Sequence, residues 1–251
     1  MMAGGMVDEV AIVTGAGINT GAVIAQTLAR EGVAVVVNYR NAAAGARATV
    51  AEIAAAGGRA IAVAADVTKP ADVARLVARA VEAFGTVSIL VNNANIRSYR
   101  ALMEISLEEW RNTLAPTLDG SFFCIQACVP LMRKLGRGTI VNIGGSSAHS
   151  GRPHRCHVAA AKAGLAGMTG ALASELAPDN ITVNCVVPGR IDTGRPDTPA
   201  GRGAAHHRSP TGRSASPQEI ANLVRFLCSN ECRFISGAML HANGAAYVTI
   251  A

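Results

Sequence analysis

Short runs of apolar, largely β-branched residues alternate with longer segments of helical period from one end of the chain to the other, and this alternation constrains the fold more than any other feature. A strand buried on both faces reads as a continuous apolar run, and a parallel neighbour requires a crossover long enough to hold a helix. The strand candidates are Val10–Thr14, Val33–Asn38, Arg59–Ala64, Ile89–Asn92, Thr139–Ile143, Thr182–Val187 and Met239–His241. Between them lie helical segments over Gly21–Glu31, Ala43–Ala56, Ala71–Phe84, a pair across Leu107–Lys134, Cys156–Leu176 and Pro217–Cys228. Pro116 falls inside the pair, where its missing N–H should interrupt the helix. Seven strands alternating with helices predict an α/β doubly wound three-layer sandwich with a seven-stranded parallel sheet.

The chain has 251 residues, half of them apolar and 16% charged, which suits one domain over residues 1–251. Its apolar runs fall short of the roughly 20 residues that cross a bilayer, and Met1-Met2-Ala3-Gly4-Gly5 is not a basic segment leading into an apolar one. A cytoplasmic protein without a membrane partner is expected. The six cysteines show no Cys-x-x-Cys spacing, and no histidine pair stands at metal-ligand spacing, so the cysteines read as buried free thiols and no metal site is expected. Part of the net charge of +6 sits between Arg195 and Arg213, with four arginines beside His206 and His207. Three lysines and 4% aromatics in the whole chain argue against nucleic acid and for an anionic cofactor or small-molecule substrate. The surrounding segment, 193–216, has neither helical nor strand period and is long for a connection, which marks it as a substrate lid.

The first strand runs through Thr14 straight into Gly15-Ala16-Gly17-Ile18-Asn19-Thr20-Gly21 and then an amphipathic helix. Backbone N–H groups and the positive end of the helix dipole would there face a pyrophosphate, the dinucleotide site of a Rossmann-type fold. After the second strand comes Asn38-Tyr39-Arg40, with no acidic residue to hold the ribose 2′-hydroxyl of NAD(H). Arginine can instead pair with a 2′-phosphate, so NADP(H) is the expected cofactor in preference to NAD(H).

These motifs resemble the short-chain dehydrogenase/reductase superfamily over essentially the whole chain. Thr14-Gly15 and Gly21 match its glycine turn, with Asn19 at the middle glycine. Asp66-Val67 matches the pair that contacts adenine. Asn92-Asn93-Ala94-Asn95 matches the segment that braces the sheet beside the cofactor, with Asn95 in place of glycine, and Ile143 ends the strand that borders the same site. Asn184 through Pro188-Gly189, Ile191 and Thr193 matches the cradle of the nicotinamide. The resemblance implies a homo-oligomer, a tetramer or dimer, in which Gly237 and Asn243-Gly244 belong to an interfacial closing strand.

The resemblance breaks at the catalytic pattern. In this family a tyrosine four residues before a lysine exchanges a proton with the substrate oxygen, while the lysine binds the nicotinamide ribose and lowers the tyrosine pKa. Counting back from Lys162, the tyrosine position is Val158, the serine position is Gly145 with Ser146 and Ser147 following, and the asparagine position is Thr117. Valine carries no proton. Other candidate groups are His157, which a turn of about 100° per residue points away from the nicotinamide, Arg155 with Arg152, His154 and Arg97 as a pocket for an anionic group, and His206 and His207 in the lid. Two functions are expected from this pattern. One is an NADPH-dependent reductase of a C=O, C=N or activated C=C bond, in which Lys162, Ser146, Ser147 and His207 are the catalytic candidates and Val158, Arg155, Thr117 and Gly145 face the substrate. The other is a pseudoenzyme that binds NADP(H) as sensor or scaffold.

Overall fold

The computed structural model describes residues 6–194 and 209–248, so His206 and His207 lie outside the described residues. Its strands are β1 (Val10–Val13), β2 (Ala34–Tyr39), β3 (Ala60–Ala64), β4 (Ile89–Asn92), β5 (Gly138–Ile143), β6 (Ile181–Pro188) and β7 (Met239–Ala242). The helices are α1 (Asn19–Arg30), α2 (Ala43–Ala55), α3 (Pro70–Phe84), α4 (Leu107–Thr117), α5 (Asp119–Leu135), α6 (Ser147–Ser150), α7 (Cys156–Leu176) and α8 (Pro217–Cys228). All seven strands pair in parallel in the order β3-β2-β1-β4-β5-β6-β7. The expected doubly wound sandwich is therefore present, and the strand order reverses between β1 and β4, where α/β sheets open a crevice.

Apolar runs become two cores because alternate strand residues face opposite layers. Ala11, Val13, Val35, Val37, Val91 and Val141 pack with Ile24 and Leu28 of α1 and with Ile220, Val224 and Leu227 of α8. Ile12, Val36, Leu90 and Ile140 pack with Leu76 of α3, Cys128 and Met132 of α5 and Leu176 of α7. Each fully buried aliphatic side chain contributes roughly 1.5–3 kcal/mol, so the sheet is fixed from both faces.

Several expected boundaries shift where local chemistry overrides periodicity. Thr14 leaves β1 to bond across to β4, and α1 starts at Asn19, two residues before Gly21. The helical pair breaks at Leu118, just after Pro116, which remains inside α4. The stretch Leu107–Leu135 matches a bilayer-spanning helix in length and composition only, and 44% of the apolar window that gives the match is buried. Its apolarity is that of a core element, since Cys124, Ile125, Cys128 and Met132 pack into the layer beneath the sheet. The cysteines are all free thiols, and Cys156 differs from the expectation in being exposed.

Candidate active site

The turn after β1 is tied to its neighbours by polar side chains at the ends of three strands. Thr14 Oγ1 accepts from the N–H groups of Asn93 and Ala94 at 2.9 and 3.0 Å. Asn93 Nδ2 donates to the Thr14 and Gly15 carbonyls at 2.9 and 3.1 Å, and Asn38 Oδ1 accepts from the Gly15 N–H at 3.2 Å. Close backbone approach explains the glycines: a Cβ on Gly21 would stand 2.6 Å from Asn93 Nδ2 and from the Gly15 carbonyl oxygen. Asn19 occupies the left-handed region at φ 54°, which asparagine tolerates better than most residues, and this accounts for its standing where the family pattern has glycine. The turn delivers the chain into α1 with Ile18 as N-cap. Isoleucine offers no side-chain acceptor and the first turn of α1 holds no acidic residue, so the helix presents an uncapped positive end to the cleft.

On the far side of the crevice, α7 carries Arg155 at its N-cap and then Val158 and Lys162 on one buried face. A chain of hydrogen bonds seats this helix on the sheet: Asn92 Nδ2 donates to Asn142 Oδ1, Asn142 Nδ2 to Thr169 Oγ1, and Thr169 Oγ1 to the Leu165 carbonyl, each at 2.9 Å. Lys162 Nζ donates to the carbonyl oxygen of Ile143. Burial pushes its amine down to about 8, with the Arg97 and Arg155 guanidinium groups lowering it further and Cys185 acting the other way. Nearby, Arg155 lies over the Tyr99 ring, 4.6 Å from its centroid, and donates from Nη1 to the Tyr99 hydroxyl at 3.3 Å. Arg152 Nη2 reaches Ser146 Oγ at 3.4 Å. One cleft of about 750 Å³ is lined by the glycine turn, Arg40, Tyr99, Ser146, Arg152, Arg155, Val158 and Lys162.

Residues 15–245 match the family model described as enoyl-(acyl carrier protein) reductase. A 3-oxoacyl-[acyl-carrier-protein] reductase, FabG, of Staphylococcus epidermidis is 36% identical over 243 residues, covering 96% of this chain and 100% of the relative. The chain belongs to the short-chain dehydrogenase/reductase superfamily. Within that superfamily, an uncharacterized oxidoreductase of Methylorubrum extorquens is 38% identical over 242 residues, with 94% of this chain and 96% of the relative covered. A dehydrogenase/reductase from Sinorhizobium meliloti 1021 superposes with a TM-score of 0.92 at 37% identity, covering 97% of each chain. The angucycline C-6 ketoreductase LanV, solved with bound NADP, superposes with a TM-score of 0.91 at 30% identity, again over 97% of each chain.

In this superfamily member the cleft is lined by the turn residues Gly15, Gly17, Ile18, Asn19, Thr20 and Gly21, by Asn38, Tyr39 and Arg40, and by Asp66 and Val67. Asn93, Ala94, Asn95, Ile143, Gly145, Ser146, Ser147, Arg155, Val158, Lys162, Pro188, Gly189, Ile191 and Thr193 complete the expected set. Thr117 departs from it: the side chain is buried at the end of α4 and does not line the cleft, whereas the neighbouring Pro116 does. His157 is fully buried, 3.9 Å from Glu109 and outside the cleft lining, as its helical position implies. Tyr99 and Gly45 are among the contributors that escaped the sequence reading. Tyr99 sits in an irregular segment with no period to mark it. Gly45 of α2 approaches the Gly17 carbonyl so closely that a Cβ would collide with it, and its signal was a glycine in a helical pattern.

Proposed function

We propose that this protein is an NADPH-dependent reductase whose reaction does not use the superfamily's tyrosine. The observation that carries this is the pairing of Lys162 with Val158: one buried face of α7 keeps the cation and presents an aliphatic side chain one turn before it, both lining one cleft.

The residues present fit the cofactor. The uncapped end of α1 and the crowded glycines leave Ile18, Asn19 and Thr20 to receive a pyrophosphate. Arg40 is half-exposed and meets Asp66 only at 3.8 Å, beyond hydrogen-bond reach, which leaves guanidinium donors for a 2′-phosphate and favours NADP(H) over NAD(H). The bound NADP of LanV supports the same assignment. Asp66 and Val67 would border the adenine, Asn93–Asn95, Ile143 and Lys162 the nicotinamide ribose, and Pro188, Gly189, Ile191 and Thr193 the nicotinamide. When bound, NADPH supplies a hydride. Lys162, protonated at neutral pH with one N–H on the Ile143 carbonyl, has two more to offer a ribose hydroxyl. Val158 excludes water from that side but moves no proton. The bond reduced is therefore a cationic C=N, a conjugated C=C or a carbonyl that takes its proton from water or a lid group such as His207, with Ser146 and Ser147 able to hold a substrate oxygen.

The test is loss of nicotinamide absorbance when the NADPH-bound protein meets ketones, imines and activated alkenes. Consumption with one class is expected from the wild type. The double variant Gly145→Ser, Val158→Tyr should gain ketone reduction, since a Cβ on Gly145 meets only Ser147 Oγ at 3.8 Å and Lys162 Cγ at 3.9 Å. Tight NADPH binding with no consumption of any class would overturn the reductase and leave the cofactor-binding pseudoenzyme.

A further inference from the structure

We infer that the substrate end of the cleft is an anion pocket built by Arg155 and Arg152, and that it receives the carboxylate of an organic acid. The inference rests on the reductase reading for what happens next to that carboxylate, but the pocket stands on its own geometry.

Arg155 is only 9% exposed. Tyr99 holds its guanidinium from two directions, under the ring face and through Nη1, which fixes its plane and leaves the Nε and Nη2 edge. Arg155 Nε is fully buried and has no acceptor among the described residues. Arg152 Nε is in the same condition, although its Nη2 reaches Ser146. Two buried N–H donors without acceptors, on the cationic side chains of residues that line one cleft, are a costly arrangement unless a ligand completes it. Arg97 lines the same cleft, and burial, Arg97 and Arg152 hold the Arg155 guanidinium below its usual range while Tyr99 opposes them.

Acidic side chains near by are turned to other work. Glu109 accepts from Ser98 at 2.6 Å and pairs with Arg100 at 3.2 Å, and burial works against its charge while both partners sustain it. Asp192 lines the cleft but accepts from the Gly194 N–H at 3.1 Å. Four cationic side chains, Arg97, Arg152, Arg155 and Lys162, thus border one end of the cleft. With Nη1 on Tyr99, the other edge of Arg155 has no acceptor for its buried Nε, and the parallel N–H groups of that edge match the two oxygens of a carboxylate. Arg155, Val158 and Lys162 stand at i, i+3 and i+7 on α7, so an acid anchored at Arg155 extends past Val158 toward the lysine. Charge at one end of the substrate then supplies the orientation that a serine and tyrosine would give to a ketone oxygen, and the cations favour negative charge developing nearby.

The test is calorimetric titration of the NADP⁺-saturated protein with benzoate and cinnamate, with benzamide and cinnamamide as neutral isosteres and inorganic phosphate as a second anion. Carboxylates should bind at least tenfold more tightly than their amides. Arg155→Lys, which keeps the charge but loses the fork, and Arg152→Ala should each weaken carboxylate binding about 10- to 100-fold. NADP⁺ affinity and thermal unfolding should remain near wild type in Arg152→Ala, the variant on the less buried loop residue. Equal binding of acid and amide, no binding of either carboxylate, unchanged affinity in both variants, or phosphate binding above carboxylate would each overturn the inference. If NADP⁺ itself fails to bind, the reductase reading falls, and the same titration without cofactor still decides the anion pocket.

Discussion

Replacing Lys162 with methionine should make the cofactor-free protein more stable at neutral pH while removing its purpose. The amine is 7% exposed, and burial holds it at about 8, well below the 10.5 of a free lysine. A depression of that size means that keeping the amine charged in the folded state costs about 3 kcal/mol. Methionine has similar length and no charge, and it forfeits the hydrogen bond from the charged amine to Ile143, worth about 2 kcal/mol. Lys162→Met should therefore gain about 1 kcal/mol at pH 7. The sign reverses with pH. Between 8 and 10.5 the unfolded lysine binds a proton that the folded one has released, so the wild type gains stability as pH rises through that window. Above it the wild type keeps its hydrogen bond without the charge penalty, and the two stability curves cross. Urea unfolding of the cofactor-free proteins at a series of pH values from 7 to 10.5 measures this directly. A variant less stable than wild type at pH 7, or a difference that does not change with pH, would refute the assignment of Lys162 as a buried cation maintained for binding.

Three further outcomes follow from the same geometry. Arg40→Ser should weaken NADPH binding about 10- to 100-fold and leave NADH within twofold, read by nicotinamide fluorescence. Gly21→Ala places a Cβ 2.6 Å from the Gly15 carbonyl oxygen, where backbone must shift, and should cost about 1–3 kcal/mol in denaturant unfolding together with most of the cofactor affinity. Glu219→Gln should flatten the acid limb of unfolding: the Arg213 side chain first, then the Ser216 backbone, hold the Glu219 carboxyl at about 2, so its contribution is present above about 4.5 and lost as pH falls to 2.

The fold was legible because burial on both sheet faces leaves period and composition in the chain itself: the runs around Ile12, Val36 and Leu90 could only be inner parallel strands. The turn after β1 was legible for a related reason, since a glycine that cannot accept a Cβ records its surroundings in residue type. Thr117 and Pro116 are adjacent at the end of α4, about 100° apart around the helix, and it is Pro116 that lines the cleft, a difference that a count along the family pattern does not resolve. The pairing of Arg155 with Tyr99 had no sequence signal, because it joins the start of α7 to an irregular segment 56 residues away. His207 lies outside the described residues, and its part as a proton donor rests on the reaction.

The most direct measurement is a fluorescence titration with NADPH and NADH followed by NADPH consumption against the three substrate classes. The account predicts saturable binding that favours NADPH and turnover with one class of substrate. Absence of NADPH binding would contradict the assignment of the α1 turn, Arg40 and Lys162 as one cofactor site, and with it the proposed reductase.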